Sequence, residues 1–313
     1  MSGRPALLVV LGPTGTGKSE LAVRVAERIG GEIVGCDALQ VYRDVTVGTA
    51  KPPEELRRRV AHHLVDVVDP KTSFTLGDYV TRAEAAVAAI ASRGRVPVVV
   101  GGTGMYLRGL LRGIVAAPAS DPLLRERLRR MAVRFGSPRL HRWLKRLDPD
   151  SAGRLPRGDA QRVTRALEGA LRGAVWSRAL REEGTWGSGV ERYPSLKIGL
   201  DRERTAHGRV LDARVDAFFA RGLTDEVRGL LEAGVPPTAN ALKAIGYRQI
   251  VAGLRQGTAH EEMVLEVKRA TRRYAKRQRT WFRKERGVTW LLADEPADVL
   301  EARVVELWRS RFP

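Results

Sequence analysis

Cysteine occurs once in the 313 residues, at Cys36. One thiol rules out an internal disulfide, and its neighbours offer no metal-ligand spacing, so a reducing, cytoplasmic setting is expected. Aromatic residues make up only 6% of the chain. No apolar run approaches the roughly 20 residues that a membrane-spanning helix needs, and the N-terminus has no secretory h-region, so no membrane partner is expected. Internal repeats and low-complexity tracts are absent too. What remains is the composition of an ordinary globular protein, 43% hydrophobic and 29% charged. Its length suits one large domain or two smaller ones with a proper core.

Acidic residues are too few to balance the basic ones, and the imbalance is concentrated in one part of the chain. Residues 1–120 carry 15 Lys+Arg against 11 Asp+Glu, whereas residues 121–313 carry 40 against 25. Most of the net charge of +19 therefore lies outside the N-terminal third. A field of that size favours a polyanionic partner, most simply a nucleic acid.

The most informative stretch is Gly12-Pro13-Thr14-Gly15-Thr16-Gly17-Lys18-Ser19. It follows the apolar run Ala6 to Leu11 and precedes a segment placing Leu21, Val25 and Ile29 on one helical face. It fits G-x-x-x-x-G-K-[ST] in the strand–turn–helix setting that this phosphate loop requires. Glycines let the backbone wrap an oxyanion with its N–H groups turned inward, and the helix N-terminus adds its positive end. Lys18 contributes a mobile charge and Ser19 a hydroxyl suited to Mg²⁺. A diphosphate or polyphosphate is the expected ligand of Gly12 to Ser19.

Further short apolar strands are expected at Glu32 to Cys36, His62 to Val67 and Val96 to Val100, with a helix from Leu76 to Ser92 and another from Met105. Alternation of this kind implies a doubly wound, mostly parallel α/β sheet. Ligands of such sheets gather beyond the carboxyl ends of the strands, so the phosphate loop, Asp37 and Thr103 are expected to line one crevice. From Asp121 to about Arg192 the pattern is helical and basic, with segments at Leu123 to Phe135, Arg139 to Leu147, Asp159 to Arg172 and Trp176 to Glu182. We read an all-helical subdomain, residues 119–193, inserted into a core of residues 1–118 and 194–313. Ser195 to Leu200 returns to the parent sheet, helices resume over 203–220, 223–233 and 258–286, and Val288 to Leu292 and residues 296–311 close the chain.

Three residues beyond the loop invite chemistry. Asp37 at a strand end can hold Mg²⁺ through water or accept a proton, although turn and cap aspartates look the same in sequence. The Gln40 amide can read a base edge with donor and acceptor together, or lie solvated. Thr103, in Gly101-Gly102-Thr103-Gly104, can donate to a phosphate oxygen or merely complete a tight turn. The adjacent His62 and His63 point to opposite faces of a strand and cannot chelate one ion from there.

Lys268 to Arg286 holds ten Lys or Arg and one acid, with Tyr274, Trp281 and Phe282 interleaved. Guanidiniums suit phosphates, and aromatics either stack bases or pin the helix down. Lys276, Arg277 and Arg279 are the expected docking residues of this stretch. Gln161-Arg162-Val163-Thr164-Arg165 is a slighter version of the same pattern.

With these stretches assembled, the sequence resembles the tRNA isopentenyltransferase family, nearly end to end. The resemblance is carried by GPTGTGKS at 12–19, CDALQVY at 36–42, VGTAKP at 47–52, HHLVDVVDP at 62–70 and VVVGGTGMYLRGLL at 98–111. It continues through SDPLLRERL at 120–128, DAQRVTRALE at 159–168, GLTDEV at 222–227, AIGYRQ at 244–249 and TRRYAKRQRTWFRK at 271–284. It implies a phosphate-loop core with an inserted tRNA-binding subdomain. The implied activity is transfer of a dimethylallyl group from dimethylallyl diphosphate to N6 of the adenosine 3′ of the anticodon. By position it makes Thr14 to Ser19 the diphosphate cradle, with Lys18 and a Ser19-bound Mg²⁺ neutralising charge. It makes Asp37 the general base, Gln40 with Ala38 and Leu39 a support for the flipped adenine, and Thr103 a contact near the transfer centre. Arg125 and Gln161 to Arg165 match positions that touch tRNA.

Two departures stand out. Leu155-Pro156-Arg157-Gly158-Asp159 replaces the family's histidine-x-asparagine-aspartate. The family's diphosphate-facing arginine falls at Val210 when counted back from Arg214-Val215-Asp216, which leaves Arg209, one residue away, as the candidate. A nucleotide-kinase reading would share the loop and Asp37 but gives the basic C-terminal helix no use. Nothing requires more than a monomer.

Overall fold

The computed structural model describes residues 3–114, 121–173 and 190–313. Contacts divide the chain into two compact units, Met1–Leu111 with Glu191–Pro313, and Arg112–Val190. The helix expected at Trp176 to Glu182 lies outside the described residues.

The first unit is built on a six-stranded sheet. Its strands are β1 (Leu7–Leu11), β2 (Gly31–Gly35), β3 (His62–His63), β4 (Val96–Gly101), β5 (Ser195–Asp201) and β6 (Val288–Leu292). They lie in the order β3-β2-β4-β1-β5-β6, and every described pairing is parallel. β1 is central, with Val9 opposite Val99 of β4 on one side and Lys197 of β5 on the other. All five of its residues are buried, as expected of a strand covered on both faces. Leu7, Val9 and Leu11 feed one core, which also holds Tyr79, Val87, Leu110 and Tyr247. Leu8 and Val10 feed the other, with Leu21, Val25, Val304 and Trp308. Neighbouring β1 side chains thus enter opposite layers, the period-two rule applied to a buried strand.

The helices preceding the second unit are α1 (Lys18–Ile29), α2 (Glu54–Arg59), α3 (Leu76–Ser92) and α4 (Gly104–Arg112). Those following it are α9 (Arg204–Ala220), α10 (Leu223–Glu232), α11 (Tyr247–Gln256), α12 (His260–Phe282) and α13 (Ala297–Arg311). α3 begins at a reciprocal cap. The Thr75 hydroxyl accepts from the Asp78 N–H at 3.2 Å, and the Asp78 carboxylate accepts from the Thr75 N–H at 2.8 Å. The third strand stops after His63 and does not reach Val67. Leu64 and Asp66 have φ of +63° and +57°, left-handed values that a strand cannot hold. His62 and His63 serve hydrogen bonding: His63 meets Glu32 at 2.7 Å, and His62 meets the Val60 carbonyl at 2.7 Å.

The second unit is helical: α5 (Pro122–Phe135), α6 (Ser137–Leu147), α7 (Pro149–Arg154) and α8 (Ala160–Leu171). Asp121, Asp148 and Asp159 cap three of these helices, accepting from the N–H groups of Leu124, Ser151 and Arg162 at 2.9–3.0 Å. The core consists of Leu128, Leu140, Leu144, Ala152, Val163, Ala166 and Leu167. Burying each leucine favours this fold by about 1.5–3 kcal/mol. Burying His141 costs little, because its Nε2–H is shared by the Ala152 and Leu155 carbonyls at 2.9 and 3.0 Å.

Candidate active site

Beyond the carboxyl ends of β1, β2 and β4 lies a cavity of about 650 Å³, all of whose walls belong to the first unit. Thr14, Gly15 and Gly17 to Ser19 form its floor, and Asp37 to Gln40 one flank. Gly101 and Gly102 close the end of β4, and α9 contributes Arg214 and Phe218. α12 adds Val267, Thr271, Tyr274, Arg277 and Gln278 to the lining.

The phosphate loop has the shape its glycines permit. Gly12 has φ +142°, and a side chain there would run into the Leu200 carbonyl of β5. Gly17, at φ +76°, turns the chain into α1. The N–H groups of Gly15 to Ser19 make no hydrogen bond to the protein among the described residues, which leaves a concave row of donors at a helix N-terminus. Pro13 and Thr16 do not offer side chains to a ligand: the Thr16 hydroxyl donates to the Pro13 carbonyl at 3.0 Å. Lys18 Nζ donates to the same carbonyl at 2.5 Å.

Three charges meet in this cavity. Burial, then the nearby Arg214 guanidinium, pull the Lys18 ammonium down to about 7 against the raising effect of Asp37. Burial pushes the Asp37 carboxyl above its ordinary value, opposed by the Leu39 and Gln40 amides and by the charges of Lys18 and Arg214. Burial likewise lowers Arg214, against Asp37. Asp37 Oδ1 accepts from the N–H of Leu39 at 2.9 Å and of Gln40 at 3.3 Å, which fixes the carboxylate at the cavity wall and leaves Oδ2 without a hydrogen-bond partner among the described residues. Two cations and a carboxylate with an elevated proton affinity suit a reaction in which an anion leaves and a proton is taken up.

The wall from Thr46 to Lys51 is fastened residue by residue. Glu226 of α10 accepts from the N–H of Thr46 at 3.1 Å and of Val47 at 2.9 Å. The Tyr247 hydroxyl accepts from Gly48 N–H at 3.0 Å and donates to Glu226. Gln40 Nε2 donates to the carbonyls of Thr49 and Ala50 at 3.1 and 3.2 Å, and Lys51 pairs with Asp66. The GLTDEV and AIGYRQ stretches thus supply the clamp on the VGTAKP stretch.

A family model described as IPP transferase matches residues 40–285. The chain belongs to the IPP transferase family. A tRNA dimethylallyltransferase of Geobacter metallireducens is 46% identical over 285 residues, 91% of this chain and 92% of that one. The full-length tRNA isopentenylpyrophosphate transferase of Bacillus halodurans superposes with a TM-score of 0.73 at 32% identity, over 98% of this chain and 96% of its own. A eukaryotic dimethylallyltransferase acting on tRNA gives a TM-score of 0.78 at 26% identity, over 98% and 76%.

The transferase gathers Thr14, Gly15, Gly17, Lys18, Ser19, Asp37, Ala38, Leu39 and Gln40 around one cavity, and Arg277 with them. The remaining candidates lie outside that lining. Arg209 is exposed and absent from the cavity wall, where Arg214 stands instead. Five residues turn a helix by about 140°, so the two cannot share a face, whereas Arg214, Val215 and Phe218 do. The inward stripe of α9, with Leu211, Val215 and Phe218 buried, was the signal that selects Arg214. Arg279 does not face outward: its guanidinium donates to Asp201 at 2.8 Å, to the Arg202 carbonyl at 3.0 Å and to His207 at 3.0 Å. In the second unit Val163 is wholly buried in the core and Thr164 is buried beside it, so their side chains cannot meet RNA. Arg125 and Arg165 both bind the buried Glu168, at 2.9 and 3.0 Å, and Arg162 binds Asp159. Gln161 is exposed. Thr103 is not among the residues lining the cavity. Its hydroxyl accepts from the Ala38 N–H at 3.1 Å, beside the Tyr274 phenol, which ties the β4 end to the Asp37 turn.

Of the three aromatics on the basic helix, Tyr274 lines the cavity and Phe282 is core. Trp281 lies against Gly104 with Arg108 over its ring. The helix cations divide by face. Lys268, Arg272, Arg279 and Arg283 pair with Asp216, Asp212 and Asp201. Arg269, Arg273, Lys276 and Arg277 are exposed, and among the described residues none has an acidic partner.

Ser19 and Asp37 share the cavity, and no group of three or more His, Cys, Asp or Glu among the described residues is arranged to hold a metal. A hydroxyl with one carboxylate fits Mg²⁺, which keeps several waters and takes its remaining ligands from phosphate oxygens.

Proposed function

We propose that the enzyme transfers a dimethylallyl group from dimethylallyl diphosphate to N6 of the adenosine 3′ of the anticodon in tRNA. The observation that carries this reading is the convergence of Lys18, Arg214, Asp37 and the free N–H row of Gly15 to Ser19 on one cavity. The names of the relatives supply the substrate class.

The chemistry follows from these groups. The allylic C–O bond breaks and its electron pair leaves with the diphosphate. The loop N–H groups, Lys18 and Arg214 stabilise that developing charge. The N6 lone pair forms the new C–N bond, and Asp37 Oδ2 takes the proton that the amine loses, a contribution of roughly 10²–10⁴-fold. Ser19, with Asp37 through water, would hold Mg²⁺, which would further neutralise the diphosphate. Gln40 spends both amide hydrogens on the 49–50 backbone, so its carbonyl is the group left for an adenine donor. Extruding the adenine from its stack costs a few kcal/mol, offset by phosphate contacts to the exposed face of α12.

The test is incubation with dimethylallyl diphosphate and either unmodified tRNA or AMP, with prenylated adenosine read by mass spectrometry. Prenylated tRNA supports the reading. Prenylated AMP with unmodified tRNA refutes the acceptor, and ATP-dependent phosphorylation without prenylation refutes the reaction.

A further inference from the structure

The basic helix α12 reaches the phosphate loop through two consecutive side chains. Gln278 is 6% exposed. Its Oε1 accepts from the Thr14 N–H at 2.9 Å and its Nε2 donates to the Gly102 carbonyl at 2.8 Å. A side chain at Gly102 would collide with that amide, so the glycine after β4 makes room for it. Arg279 donates to His207 Nδ1 at 3.0 Å, and His207 Nε2 meets the Thr14 carbonyl at 2.8 Å. A guanidinium only donates and a carbonyl only accepts, which fixes His207 as the neutral Nε2–H tautomer. Burial, the largest influence, lowers the His207 pKa and agrees with that state.

Thr14 is thus held on both sides of its backbone, its N–H by Gln278 and its C=O by His207. The N–H groups of the next residues, Gly15 to Ser19, have no protein partner among the described residues. Gly15 has φ +79° and no side chain of its own to fix it. The last anchored point before the donor row is therefore supplied from 264 residues away in sequence.

We infer that Gln278, supported by the Arg279–His207 pair, is a positioning residue for the diphosphate. It sets the register of the phosphate loop from the helix whose outer face carries Arg269, Arg273 and Lys276. The inference rests on the diphosphate reading of the cavity and specifies which buried polar group aligns it. The amide does its work with one donor and one acceptor, so loss of either end lets the loop's N–H row drift from a convergent arrangement.

The experiment uses the full chain and inorganic pyrophosphate as probe, in parallel with direct binding of unmodified tRNA. Gln278→Met keeps the volume and removes both hydrogen bonds. Its expected outcome is a pyrophosphate Kd, and a KM for dimethylallyl diphosphate, at least tenfold higher, with the tRNA Kd within twofold. Gln278→Glu keeps an acceptor for Thr14 and should recover part of the loss. Should the Met variant fail to fold, the Glu variant alone decides, with an expected weakening of threefold or more confined to pyrophosphate. Unchanged pyrophosphate affinity, or an equal loss for tRNA, overturns the inference. Wild-type protein that does not bind pyrophosphate overturns instead the diphosphate reading beneath it.

Discussion

Two acidic side chains, one in each unit, show how partner count separates chemistry from architecture. Glu168 of the helical unit is 1% exposed and fully satisfied. It accepts from the Asp121 N–H at 2.8 Å, from Arg125 and from Arg165. Burial pushes its carboxyl up, yet Arg125, the Asp121 amide and Arg165 outweigh that and hold it below its ordinary value. Asp37 has two backbone donors on a single oxygen and, among the described residues, no side-chain donor, and its carboxyl moves the other way. A carboxylate enclosed by cations is a fastener. One that is aimed by amides and left open on its second oxygen is available to substrate.

The contrast is broken most sharply by exchanging the charge for an amide. Asp37→Asn is expected to lower turnover by roughly 10²–10⁴-fold while pyrophosphate and tRNA affinities hold. Turnover equal to wild type removes Asp37 from the proton-accepting role. Glu168→Ala is expected to do the opposite, destabilising the helical unit by about 2–3 kcal/mol because three donors lose their acceptor, with pyrophosphate binding intact. Thermal unfolding with and without pyrophosphate distinguishes the two. Glu168 is also expected to give acid lability. A carboxyl lowered in the folded state contributes stability above its unfolded value of about 4.3, and that contribution is lost as pH falls below it.

Arg214→Leu should raise the KM for the diphosphate donor by about 10- to 100-fold. Arg209→Leu should leave it unchanged, and a reversal of the two would restore the exposed arginine as the diphosphate contact. The Lys18 ammonium near 7 gives a pH test with a definite sign. Above that pH the free enzyme loses a positive charge, so pyrophosphate affinity should fall, and Lys18→Met should flatten the profile. The smallest effect is expected at the surface. Arg273→Ala with Lys276→Ala should reduce the salt dependence of tRNA binding by roughly one to two counterions. An unchanged slope removes the outer face of α12 from the docking surface.

The sheet and the phosphate loop were legible because their signals are local. The apolar run before Gly12 and the glycine spacing need no tertiary information. Asp37 and Gln40 were found because they follow a strand end, and strand ends converge. The errors come from facing. Val163 and Arg279 lie in stretches whose composition is basic, but composition does not say which residue of a helix turns inward. Val163 sits in the stripe with Leu167, and Arg279 sits over the acidic end of β5. Counting along the sequence points to Arg209, whereas the Leu211, Val215 and Phe218 stripe selects Arg214. Gln278 was hidden for another reason: both its partners are backbone groups of distant loops, and only the folded chain brings them within reach.

The fastening of Thr46 to Lys51 bears on how a substrate enters. Five consecutive backbone positions, 46 to 50, are tied by three side chains, Glu226, Tyr247 and Gln40, so this stretch is fastened to the body of the fold at every residue. On the proposed reading, a prenyl donor is expected to meet this wall already in place. Discrimination among donors on that side would then follow from an outline held by the Glu226 and Tyr247 contacts rather than from the pace of a closing gate.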